Sequence, residues 1–188
     1  MGRYEVIETG IKDLKVIKAL PFFDERGYFF ENYNLNDFKK LGIDKVFVQD
    51  NESKSSKGVL RGLHFQIQHP QAKLVRCIKG KVWDVAVDLR AGSPTFGKYY
   101  GIELTEDNYT MFFVPENFAH GFLVLSDEAK FSYKVTDFYH PNDEGGIIYN
   151  DKDIDIKWPI PNDKDFKILL SEKDKVHGTF REYKASHQ

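Results

Sequence analysis

Residues 59–66 read VLRGLHFQ. The run has the apolar and aromatic content of a β-strand, yet Arg61, Gly62 and His64 sit in its middle. An arginine is seldom fully buried without a partner, so a strand of this composition must border solvent or a polar cavity. The surrounding text repeats the strand pattern. KVFVQDN (45–51), KLVRCIKG (73–80), KVWDVAVDL (81–89), GKYYGIEL (97–104), TMFFVPE (110–116), HGFLVLS (120–126) and KFSYKVTDFY (130–139) are short and rich in β-branched or aromatic residues. Turn sequences such as KGK, RAGSP, TEDN and SDEA separate them. Many short strands at roughly 8–12-residue spacing indicate a β-sandwich or barrel. DLKVIKAL (13–20) and GYFFENY (27–33) extend the pattern upstream. NLNDFKKLG (34–42) predicts a short helix, capped by Asn34 or Asn36 and stopped at Gly42. Beyond Pro141 the chain turns polar and Asp-rich, which predicts loops, short strands and a terminal helix.

The chain has 188 residues, 41% hydrophobic and 30% charged, the composition of a globular protein and the length of one domain, expected to span 1–188. A formal net charge of -2 with interspersed signs shows no footprint for nucleic acid or a membrane surface. Cys77 is the single cysteine, so no internal disulfide can form, as expected in a reducing cytoplasm. MGRYEVIETG has no apolar leader segment, and a cytoplasmic location follows as an expectation, with the sequons at Asn51 and Asn108 read as chance matches. GSPTFGKY (92–99) nearly matches a phosphate loop, but Tyr99 stands where Ser or Thr is needed and a strand pattern follows. It reads as a turn, and Cys77 in LVRCIKG reads as a small packed residue rather than a nucleophile.

Gly58 and His64 open what resembles the first motif of the cupins, a double-stranded β-helix or jelly-roll family. In that family's metal set a second histidine, a glutamate and a later histidine follow. Here those places hold Gln66, Lys73 and His120, with Gly80 at the expected distance. An ammonium has no lone pair for a cation, so no metal and no cofactor are expected. FFDERGYFFENYN, VQDNESKSSKGVLRGLHFQ, QAKLVRCIKGKVWDVAVDLR, FVPENFAHGFLVLSDEAKFSYKVTDFY and LLSEKD together resemble the dTDP-4-dehydrorhamnose 3,5-epimerase family, from about Phe22 to Asp174. The resemblance implies an all-β cupin jelly roll with a few short helices and an N-terminal strand exchanged in a homodimer. Its substrate would be a dTDP-4-keto-6-deoxyglucose, epimerised at C3 and C5.

A carbonyl at C4 acidifies the neighbouring C–H bonds. Epimerisation there needs a base on one face, a stabiliser of the enolate oxygen and an acid on the other face. The resemblance assigns His64 as base, oriented by Asp174, Lys73 as the cation near the ketone oxygen and Tyr133 as the proton donor. Arg26 and Arg61 match the family's anion contacts, and an arginine fork suits phosphate oxygens. Phe29, Glu31, Gln49, Asn51, His120, Tyr139, Glu144 and Lys173 match other substrate positions, with Arg26 and Glu31 serving the partner's site. On strict strand alternation Tyr133 and Tyr139 lie about 20 Å apart on one face, one for the sugar and one for the thymine. The same alternation puts Arg61 and His64 on opposite faces. A bulge at Gly62 would realign them, or Arg61 would reach around the rim. Asp84 inside KVWDVAV suggests a polar cavity touching the site. The alternatives are a 3-epimerase, a 3,4-ketoisomerase, a non-catalytic sugar-nucleotide-binding cupin and a metal-dependent cupin enzyme.

Overall fold

The computed structural model describes residues 3–187. In chain order the strands are β1 (Tyr4–Glu8), β2 (Lys15–Ala19), β3 (Phe22–Asp24), β4 (Gly27–Phe29), β5 (Gln49–Ser56), β6 (Leu60–Gln66), β7 (Lys73–Lys79) and β8 (Lys81–Asp88). They continue with β9 (Tyr99–Thr105), β10 (Thr110–Val114), β11 (Phe118–Val124), β12 (Glu128–Val135) and β13 (Glu144–Gly146). Helix α1 spans Leu35–Lys40 and α2 spans Phe180–His187. Among the described residues no helix is long and apolar enough to cross a membrane.

The strands build two antiparallel sheets, in the order β1-β2-β10-β7-β12-β5 and β13-β6-β11-β8-β9. Face to face they make a cupin-type β-sandwich, as expected. Between them lie Val75, Cys77, Phe112 and Phe131 from the first sheet against Val82, Ala86, Leu104 and Phe122 from the second. Both outer faces are covered as well. Phe38 of α1 and Ile43 pack with Leu74, Met111 and Phe113, while Ile147, Ile154 and Phe180 cover Leu63, Val85 and Val87. Burial on both sides explains why β10 and β11 are unbroken runs of buried residues instead of alternating ones. Cys77 is buried, and burial pushes its thiol up to about 11, in keeping with a packed residue.

Local chemistry accounts for the punctuation. The Asn34 side chain accepts from the backbone N–H groups of Asn36 and Asp37, capping α1, and Gly42 follows at φ +80, the left-handed conformation that ends helices. GSPTFGKY is a turn, and what it binds is Asp88 at the end of β8. That carboxylate is wholly buried and accepts from Arg90 Nε and Nη2, Ser93 Oγ and Thr95 Oγ1.

The first strand pairs with β2 inside its own sheet. The β3–β4 hairpin rests edge-on against Tyr109 through Phe23 and Tyr28, yet its Phe22, Phe23, Tyr28 and Phe29 are 53–70% exposed. Strand β12 stops at Val135, so the extended run to Tyr139 assumed from sequence is not present. The chain bends there, and Tyr139 Nα donates to Gln49 Oε1.

Burial alone would raise the Asp88 carboxyl, but the Arg90, Ser93 and Thr95 hydrogen bonds hold it at about 2. A depressed folded value means stability that is present above the ordinary carboxylate range and lost as pH falls from about 4 through about 2, worth about 2 kcal/mol. Asp88→Asn should therefore be destabilised relative to wild type at pH 7, with the gap narrowing by pH 3. Urea midpoints at the two pH values measure it, and a gap independent of pH would contradict the assignment.

Candidate active site

The interior between the sheets opens into a cavity of about 380 Å³. The stacked rings of Phe122 and Phe131, 4.2 Å apart, border it. One wall belongs to the second sheet and carries Arg61, His64 and His120. The other belongs to the first and carries Gln49, Asn51, Ser53, Lys73 and Tyr133. Strand β5 explains how a polar wall arises. Its residues alternate, with Gln49, Asn51, Ser53 and Ser55 turned inward and Asp50, Glu52, Lys54 and Ser56 exposed. It pairs with β12, setting Asn51 opposite Tyr133.

His64 and His120 are register partners across β6 and β11. The pairing slips by one residue between His120 and Phe122, at Gly62, whose φ is +112. Of the two routes left open by alternation this is the bulge, and it brings Arg61 and His64 to one cavity. Only a glycine fits, because a Cβ at position 62 would lie 2.6 Å from the His120 carbonyl oxygen and 2.7 Å from Gly121 Cα. Arg61 Nε and Nη2 donate to Ser55 Oγ.

His64 Nε2 is 2.5 Å from Asp174 Oδ1. Asp174 is 3% exposed, and its Oδ2 accepts from Ser171 Oγ at 2.8 Å. Burial would raise this carboxyl, yet the His64 hydrogen bond, with Ser171 and His177 nearby, holds it at about 2. Asp174 is thus ionised at neutral pH, which places the proton of a neutral His64 on Nε2 and leaves the lone pair on Nδ1. His177, which sequence reasoning missed, sets its Nε2 3.3 Å from the same Oδ1, and its ring meets His64 edge-on at 5.4 Å. Burial and the neighbouring His64 push the His177 imidazole down.

Deeper in, Asp84 is fully buried and accepts from His120 Nε2 at 2.9 and 3.0 Å. Burial raises its carboxyl, opposed by His120 and Lys73. Lys73 starts β7 and faces Asp84 and Glu144, and desolvation pulls its ammonium down to about 8, so it still carries charge at neutral pH. Burial raises the Tyr133 phenol, with Arg61 opposing, so Tyr133 keeps its proton to give. Tyr139 also lines the cavity, beside Glu144. Glu144 accepts from Lys173 Nζ at 2.5 Å, in a groove next to Asp174.

Arg26, Phe29 and Glu31 are outside this cavity. Arg26 is exposed at the hairpin tip, bonded to Asp24, and Phe29 is 69% exposed. Glu31 pairs with Arg3. Ser53 Oγ, buried and lacking a hydrogen-bond partner among the described residues, faces the cavity and had no sequence signal beyond strand alternation.

The cupin metal positions carry a different chemistry here. Lys73 is an ammonium, His120 is engaged by Asp84, and the Gln66 amide donates to the backbone carbonyls of His69 and Phe138. Among the described residues two groups do bring two imidazoles and one carboxylate together, His64–Asp174–His177 and His69–Asp137–His140.

The chain is similar to sugar epimerases along nearly all of its length. A family profile described as dTDP-4-dehydrorhamnose 3,5-epimerase matches residues 8–182. The dTDP-4-dehydrorhamnose 3,5-epimerase of Methanothermobacter thermautotrophicus is 48% identical over 97% of each chain. The crystal structure of the Elizabethkingia anophelis enzyme of that name superposes with a TM-score of 0.90, at 52% identity over 96% of this chain and 98% of its own. A Legionella pneumophila dTDP-6-deoxy-D-glucose-3,5-epimerase, in complex with dTDP-4-keto-L-rhamnose, superposes at 0.89 with 47% identity over 94% and 92% of the two chains.

Gly62→Ala should cost about 3 kcal/mol or more, because it combines a left-handed φ with a backbone clash. Chemical denaturation measures this, and a cost below about 1 kcal/mol would show that the β6–β11 approach is not the constraint described.

Proposed function

This chain belongs to the dTDP-4-dehydrorhamnose 3,5-epimerase family, and from that premise we infer that it epimerises C3 and C5 of dTDP-4-dehydro-6-deoxy-D-glucose, forming dTDP-4-dehydro-L-rhamnose on the route to dTDP-L-rhamnose. The observation that carries the assignment of roles is that His64 and Tyr133 stand on facing walls of one cavity. His64 removes the proton beside the C4 ketone, through the nitrogen that Asp174 leaves unprotonated. Charge then develops on the ketone oxygen, where the Lys73 ammonium offsets it in a site largely shielded from water, which strengthens the interaction. Tyr133 returns a proton from the opposite face; solvent then takes the proton from His64 and restores the one Tyr133 gave, and the same cycle serves the second carbon.

Arg61 serves the diphosphate from within the chain, and Gln49, Asn51, His120, Tyr139, Glu144 and Lys173 hold the sugar and the base. Arg26, Phe29 and Glu31 act in the site of a second copy of the chain. The support is the β3–β4 hairpin, which presents several exposed aromatic rings and a solvent-facing arginine away from its own cavity. Exposed aromatic patches of this kind mark interaction surfaces, so the working unit is a homodimer with each site completed across the interface.

Two measurements test these roles. Solvent deuterium uptake into the keto sugar should vanish at both carbons in His64→Ala. Tyr133→Phe should still exchange while inversion falls on the order of 10²–10⁴-fold, the usual contribution of a positioned acid. Full exchange without His64 would remove it from the mechanism, and wild-type uptake confined to C3 would reassign the protein as a 3-epimerase. For the shared site, His64→Ala and Arg26→Ala chains, each impaired alone, should regain activity when co-expressed, because one site of the mixed dimer then has both residues. Absence of any regain would put Arg26 in its own chain's site or in none.

A further inference from the structure

We propose that His69, Asp137 and His140 form a binding site for a divalent transition-metal ion of the zinc class at the rim of the cavity. The residues come from two segments, 67–72 between β6 and β7 and 136–143 between β12 and β13. His69 Nδ1 lies 3.7 Å from Asp137 Oδ2, and His140 Nε2 lies 3.9 Å from Asp137 Oδ1. One ligand atom from each residue falls within 4.8 Å of the other two. A tetrahedral zinc ion with bonds of roughly 2.0–2.2 Å sets its donors about 3.4 Å apart. Against the carboxylate the two imidazole nitrogens therefore need to close by about 0.3 and about 0.5 Å, each on its own oxygen. Two imidazoles and one carboxylate suit zinc, copper or nickel better than magnesium or calcium, and the partial exposure of all three side chains leaves room for a water ligand.

The backbone is held in place for this arrangement. The carboxamide of Gln66, itself 7% exposed, bridges both histidines: Nε2 donates to the His69 carbonyl at 2.7 Å, and Oε1 accepts from the His140 N–H at 2.8 Å. Gln71 Nε2 donates to the Asp137 carbonyl at 2.7 Å. Asp143 accepts from the N–H groups of Gln68 and His69. These bonds fix the backbone from which the three side chains project. The two imidazole rings stack at 4.0 Å and 15°, so one ring must turn about its χ2 bond for both lone pairs to meet one ion. Among the described residues, the ion-pair partners of Asp137 are these two imidazoles. A bound ion would tie the segment that carries Gln71 to the one that carries Tyr139, both of which line the cavity. The inference does not depend on the reaction assigned above.

The test is titration of metal-free protein with Zn²⁺ by calorimetry and with Co²⁺ by visible absorption. Wild type should take up one equivalent with the intense d–d absorption of a tetrahedral ion. Asp137→Asn and the double variant His69→Ala/His140→Ala should each bind at least about tenfold more weakly. Their melting temperatures without metal report that they remain folded. Zn²⁺ should raise the melting temperature of wild type and leave that of the double variant unchanged. Failure of wild type to bind would overturn the proposal. So would undiminished binding by both variants, which would move the ion to His64–Asp174–His177.

Discussion

The hydrogen bond between His64 and Asp174 joins residues 110 positions apart, and much of the site's organisation follows from it. Asp174 lies in the segment that follows the last strand, while His64 is in the middle of β6. Burying that carboxylate without a partner would cost several kcal/mol, so the C-terminal segment has one favourable seat, against the second sheet, with Ser171 satisfying the other oxygen. The seat in turn decides which imidazole nitrogen carries the proton and which keeps its lone pair. One buried charge thus couples docking of the tail to the chemical state of the residue facing the cavity.

The second constraint is that the space between the sheets is not filled. A jelly-roll core would ordinarily be packed from both inner faces. Here the inner face of β5 is Gln49, Asn51, Ser53 and Ser55, and Lys73, Asp84 and His120 bring charge to the same interior. Paired as they are, Asp84 with His120 and close to Lys73, these groups are held where water is scarce. Burial there moves the Asp84 carboxyl up and the Lys73 ammonium down. Perturbation of this sort concentrates where chemistry is done, and the apolar cluster beneath Phe122 and Phe131 supplies the rigid support.

The fold was legible where apolar periodicity was strong. Strands β6 to β12 fall close to the runs read from sequence, and α1 starts at its Asn34 cap. Legibility failed where the inward face was polar or the element was held from outside. Only the first residues of β5 fell in a strand-like run, because its buried positions carry amides and hydroxyls. Tyr139 was set on a strand extension that Asp137 and the following residues bend away. His177 gave no signal, since its proximity to Asp174 depends on how the last segment folds over Gly146. Of the residues expected at the site, Arg26, Phe29 and Glu31 stand outside the chain's own cavity, and a single chain's packing gives them no target there.

The amino-acid order by itself determined the class of fold, the position and stop of α1, the conflict between Arg61 and His64 on strict alternation and the family resemblance. Each of those rests on local sterics or on motifs contiguous in the chain. Tertiary structure alone decided how the His64–Asp174 pair implied by the resemblance is seated, that Arg61 shares its cavity, that Asp84 is buried against His120, and that His69 stacks on His140. Those are contacts between segments far apart in sequence. They exist because two sheets must cover each other's apolar faces, and only the completed packing fixes which polar side chains are left looking at one another across the gap.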